Sequence, residues 1–151
     1  MTITKKFIAT LVASSALAAS AFVPSYAQSM DELVAAAKAE GQLTTIALPH
    51  DWCGYGGVID GFKAKYPDIK VNELNPDAGS ADEIEAIKAN KDNKGPQAPD
   101  VIDVGLAFGP TSKADGLTQP YKVATWAEIP DNVKDAEGHW YGDYYGVMSF
   151  M

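Results

Sequence analysis

Three stretches of this sequence concentrate side chains able to hold a small molecule. Pro49-His50-Asp51-Trp52-Cys53-Gly54-Tyr55-Gly56-Gly57 sets two aromatic rings, an imidazole and a carboxylate among glycines, whose bare backbone can approach a ligand closely. Ala78-Gly79-Ser80-Ala81 forms the mouth of an expected helix, and Gly105-Leu106-Ala107-Phe108-Gly109-Pro110-Thr111 has the same character. Helix mouths offer unpaired amides and a partial positive charge, suited to a carboxylate or phosphonate. Trp52 and Tyr55 are suited instead to stacking on a ring or embracing an ammonium group. The candidate ligand-binding residues are therefore His50, Asp51, Trp52, Tyr55, Gly79, Ser80, Phe108 and Thr111, with Asp143 and Tyr144 added from the aromatic stretch near the C-terminus. Each has a structural role to compete with: Ser80 as a helix cap, Gly54, Gly56 and Gly57 in a turn, Trp52 at a core edge.

Other chemistries lack their residues. His50, Asp51 and Cys53 lie close together, but only one further histidine exists, His139, and no paired-ligand spacing frames a zinc site. Asn90-Lys91-Asp92-Asn93-Lys94-Gly95 places lysine where a calcium loop needs an acid, and no glutamate closes the frame. Ser149 is outside a G-x-S-x-G elbow, and the Gly54–Gly57 cluster has neither a dinucleotide nor a phosphate-loop spacing. No catalytic apparatus, resident metal or cofactor is expected.

The elements that must position these residues are legible from pattern. Ser29-Met30-Asp31-Glu32 is a capping box opening a helix with Met30, Leu33, Val34 and Ala37 on one face and Gly41 beyond its end. Leu43–Leu48 reads as a first strand stopped by Pro49, and Val58, Ile59, Phe62 and Tyr66 as a helix face ended by Pro67. Ile69 and Val71 begin a second strand. Ser80-Ala81-Asp82-Glu83 reads as a second capping box, with Ile84 and Ile87 inward. Val101-Ile102-Asp103-Val104, almost continuously apolar, reads as a third strand covered on both faces, and a brief helix is expected from about Gly109 to Gly116. Strands alternating with helical crossovers predict parallel pairing and an α/β three-layer sandwich around a central, mainly parallel sheet. In such sheets ligands bind beyond the carboxyl ends of the strands, where the three candidate loops fall.

The chain has 151 residues, with twelve lysines, no arginine and twenty acids, for a net charge of −8. That balance argues against a nucleic-acid binder, which needs a basic face. Lys5 and Lys6, an uncharged run from Phe7 to Val23, and small residues before Gln28 predict a signal peptide over residues 1–27 rather than a membrane anchor. The exported remainder is expected to be free of the membrane, not embedded in it. Its lone Cys53 is read as a small buried hydrophobe.

The order of several segments resembles the periplasmic substrate-binding proteins of ABC importers, in the two-lobed branch that includes iron, polyamine and phosphonate binders. These segments are the leader, Ala39-Glu40-Gly41 before a strand, the aromatic loop after it, Phe62–Pro67, Pro99–Val104, Gly116–Tyr121, Trp126–Pro130 and Trp140–Val147. The resemblance implies that residues 28–138 are the N-terminal lobe and that 139–151 start a hinge-crossing strand, with the second lobe absent. It further implies a monomer that captures a small solute in an interlobe cleft and hands it to permease subunits, with no catalysis. An amine, a phosphonate and ferric iron all stand as solutes. The competing expectation is an exported hydrolase fragment lacking its catalytic residues.

Overall fold

A computed structural model describes residues 29–145; the signal peptide expected over residues 1–27 lies outside the described residues, as does the end of the aromatic stretch. The protein is a small mixed α/β domain with four helices and a two-stranded parallel sheet. Helix α1 spans Met30–Glu40, strand β1 Gln42–Ile46, α2 Tyr55–Lys65, β2 Lys70–Leu74, α3 Ser80–Ala89 and α4 Phe108–Ala114. Two single 3-10 turns follow, at Trp126–Glu128 and Asp131–Val133.

The local signals at the start hold. Ser29 Oγ accepts the Glu32 amide while Glu32 Oε2 takes the Ser29 amide at 3.0 Å, and Gly41 ends α1 with φ 75°. The apolar face of α1 is only partly covered: Leu33, Val34 and Ala37 are half-buried and Met30 is exposed. β1 and β2 then pair from Gln42↔Lys70 to Ile46↔Leu74, with α2 as the crossover. The core lies where these elements meet, in Ile46, Ala47, Ile59, Ile69 and Ile84.

The expected third strand forms a single parallel bridge, Thr45↔Val101, on the other side of β1 from β2. Its side chains explain the shortfall. Asp100 Oδ2 accepts the Thr44 amide at 2.7 Å, while Thr44 O receives the amides of Asp100 and Val101. A side chain thus takes the donor that a neighbouring carbonyl would take in a longer ladder. Val101 is exposed, so the segment is not covered on both faces. Thr44 is fully buried, and replacing Asp100 by Ala strands its amide. Asp100→Ala should therefore cost about 1–3 kcal/mol, read as a lower urea midpoint with an unchanged slope; a midpoint unchanged would contradict the role.

Residues 118–142 are folded without long elements. Lys134 is buried and donates to Trp126 O at 2.9 Å and Ile129 O at 2.7 Å, and its ammonium stands 4.5 Å from the Trp126 ring centre. Lys122 faces the same ring at 4.6 Å, and Tyr141 meets it edge-on at 5.6 Å. Lys113 of α4 is paired with Asp135, whose carboxyl this ion pair holds down at about 2. Asp135 Oδ2 also accepts the Glu137 and His139 amides. The Trp140 ring packs over Gly109, close enough to leave no space for a side chain there. This knot carries the chain back from α4 and delivers Asp143 and Tyr144 to the loops beyond β1 and β2.

Candidate functional site

A groove of about 310 Å³ opens beyond the carboxyl ends of β1 and β2. Trp52, from the loop after β1, and Tyr144, from the returning segment, form its aromatic wall, with ring centres 6.4 Å apart and nearly perpendicular planes. Asp77, Gly79, Ser80, Glu83, Asp103 and Gly105 supply the polar lining. Both rings remain about half exposed, so the groove is open to solvent on that side.

The polar lining is built by hydrogen bonds that the sequence motif did not announce. The second capping box is shifted by one residue: Gly79, not Ser80, precedes the helix, and Asp82 Oδ2 accepts the Gly79 amide at 3.1 Å. Ser80 and Glu83 are thereby released for tertiary work. Ser80 Oγ accepts the Gly105 amide at 3.1 Å, and Glu83 Oε2 accepts the Asp103 amide at 2.8 Å. These two bonds fasten the chain after the Val101 bridge along the mouth of α3. Glu83 is 1% exposed, and burial first, then the nearby charges of Asp103 and Asp82, push its carboxyl up to about 7 against the opposing amide bond.

Behind the aromatic wall, Tyr55 Oη lies 2.7 Å from Asp103 Oδ2 and 2.8 Å from Asp143 Oδ2. The phenol has one hydrogen, so it donates to one carboxylate at a time. Burial, followed by the two acidic acceptors, raises its pKa far above that of an ordinary tyrosine. Tyr55 thus couples α2, the Asp103 segment and the returning chain at one point.

Of the residues singled out by sequence, Trp52, Gly79, Ser80 and Tyr144 line the groove, and Tyr55 and Asp143 meet behind it at Asp103. The other four are elsewhere. His50 turns to Glu73 on β2, which also takes Lys63 at 2.5 Å; those two partners hold the Glu73 carboxyl below its usual range. Asp51 is exposed outside the groove. Phe108 begins α4 with its ring edge toward Gly105, and the Thr111 hydroxyl donates within its own helix, to Ala107 O at 3.2 Å and Phe108 O at 3.0 Å. Gly56 serves packing rather than a ligand: a Cβ there would stand 2.8 Å from His50 O. Cys53 is exposed in a left-handed conformation with φ 46°, which corrects its reading as a buried hydrophobe.

Glu83 and Asp103 were missed as site residues because Glu83 fitted the capping motif and Asp103 a strand. One signal pointed to Glu83: it stands four residues before Ile87 and beside Ile84, on the inward face of α3. Three residues surrounding this edge, Ala47, Cys53 and Asn75, have positive φ without being glycine, the kind of backbone cost that accumulates where function fixes geometry.

Among the described residues, no three His, Cys, Asp or Glu side chains converge as a metal site, and no helix is long and apolar enough to cross a membrane. In comparisons with known proteins, no family model matches the chain and no curated protein is significantly similar to it.

Proposed function

We propose that this chain is the N-terminal lobe of an extracytoplasmic solute-binding protein of an ABC importer, capturing a small solute and passing it to permease subunits without catalysis. In this reading residues 1–27 are a periplasmic signal peptide, the lobe is a three-layer sandwich, and residues 139–151 begin the crossing to a second lobe that closes the cleft. The observation that carries the proposal is the groove itself. It lies beyond the carboxyl ends of parallel strands, where α/β folds place ligands, and has an aromatic wall over a polar floor.

The lining also favours one solute class. Asp77, Glu83 and Asp103 face the groove with Trp52 and Tyr144, a combination suited to an ammonium group and adverse to a phosphonate. His50, the residue of the aromatic loop best suited to ferric iron, is engaged with Glu73 instead. Calorimetry of the 151-residue chain with 1,4-diaminobutane, tetramethylammonium, methylphosphonate and ferric citrate tests this. A groove walled on one side should bind the two ammonium probes with Kd on the order of 1 mM and leave the other two silent. Preference for the phosphonate, or no binding of any probe, overturns the proposal.

A further inference from the structure

We propose that Glu83 is the charge-compensating residue of this groove and that a cationic solute enters in exchange for the proton Glu83 carries. The inference rests on the solute-binding reading above and adds to it a specificity residue and a proton linkage. Its first support is geometric. Glu83 is almost completely buried yet lines the groove, and the only hydrogen bond to its carboxyl group among the described residues comes from the Asp103 amide to Oε2. Oε1 has no protein partner among those residues, and no lysine or histidine there pairs with the carboxylate. A carboxyl so placed lacks a counter-charge, and a low-dielectric site leaves it two remedies, a proton or a cation.

The groups around it are of one sign or neutral. Asp82 lies on its own helix, Asp77 on the loop from β2, and Asp103 on the segment beyond the Val101 bridge. Beyond Asp103, the Tyr55 and Tyr144 hydroxyls reach its carboxylate, and Asp143 shares the Tyr55 hydroxyl with it. Burial together with the Asp103 and Asp82 charges brings the carboxyl to about 7, so below neutrality the empty groove holds the proton. The exchange balances simply. The neutral carboxyl and an alkylammonium ion become a carboxylate–ammonium pair, and one proton leaves to the buffer; no other bond changes. Proton release then makes cation affinity rise with pH until the empty groove has already lost its proton.

The test has two arms on the 151-residue chain. In the first, carbon NMR of the glutamate carboxyls of the empty protein should show one titration near 7, absent in Glu83→Gln. In the second, calorimetry with 1,4-diaminobutane in two buffers of different ionisation enthalpy should show release of close to one proton per probe at about pH 6, with Kd falling about tenfold per pH unit there. Glu83→Gln should remove both the release and the pH slope, and Glu83→Asp should retain them. An ordinary titration of Glu83 in the empty protein overturns the inference whatever binds. The expected titration near 7 together with diamine binding that releases no proton also overturns it, leaving the solute-binding reading intact. Failure of every probe to bind removes both.

Discussion

Replacing Gly138 with Ala should destabilise the protein by about 3–5 kcal/mol, the largest effect expected of any single methyl group here. Gly138 is buried with φ 93°, a conformation in which a Cβ is costly before any neighbour is considered. That Cβ would also stand 2.6 Å from Tyr121 O and 3.0 Å from its carbon, both backbone atoms that cannot swing aside. Tyr121 N–H donates to Gly138 O at 3.0 Å, so the clash falls on the bond holding the two stretches together. Relief requires separating Tyr121 from the 135–141 turn, which also loosens the edge-on contact of Trp126 with Tyr141. The consequence reaches the groove, because this knot delivers Asp143 and Tyr144. Urea unfolding should give a much lower midpoint, with tryptophan fluorescence changing at lower denaturant than the helical signal. A loss under about 1 kcal/mol would show that the turn yields easily and that the knot does not hold the returning segment.

The second large effect is a gain. Glu83→Gln should leave stability nearly unchanged at about pH 4 and raise it by about 2–3 kcal/mol above about pH 7. The folded carboxyl sits at about 7 against 4.5 for an ordinary glutamate. Between those values the folded protein keeps a proton that the unfolded chain has released, so stability falls as pH rises through this window. Above it the folded state carries a buried, uncompensated charge. Gln keeps the shape and an oxygen for the Asp103 amide, and removes the titration. Thermal unfolding of both proteins across this range checks the sign, and pH curves that run parallel would contradict it. A residue whose replacement stabilises the fold is one retained for another reason.

Much of the backbone was legible because its determinants are local. The Ser29–Glu32 box, Gly41 and the stop at Pro67 each act within a turn or two of chain, and each holds; the strand at Val71 also forms, though Asn72 and Glu73 are half-buried alongside Val71 instead of alternating with it. The third strand was not legible, since an apolar run does not reveal that the Asp100 side chain will take the Thr44 amide. The Ser80-Ala81-Asp82-Glu83 sequence carries two acids either of which can close a box. Tertiary demand decides between them: Asp82 caps, while Ser80 and Glu83 bind the segment from Asp103 to Gly105. The site was legible to the same degree. A rule about strand ends found Trp52, Gly79 and Ser80, and the aromatic texture found Tyr144. The same rule misplaced Thr111, because α4 follows a bridge instead of a full strand and its hydroxyl turns back on its own helix.

The claim that the groove beyond β1 and β2 receives a small cation is tested most directly by mapping 1,4-diaminobutane onto the protein by amide and indole NMR shifts. The account predicts saturable changes at the Trp52 indole and at the amides of Gly79, Ser80, Gly105 and Tyr144, with the distant Lys113–Asp135 region unmoved. Changes centred elsewhere, or no saturable change at these positions, would contradict it.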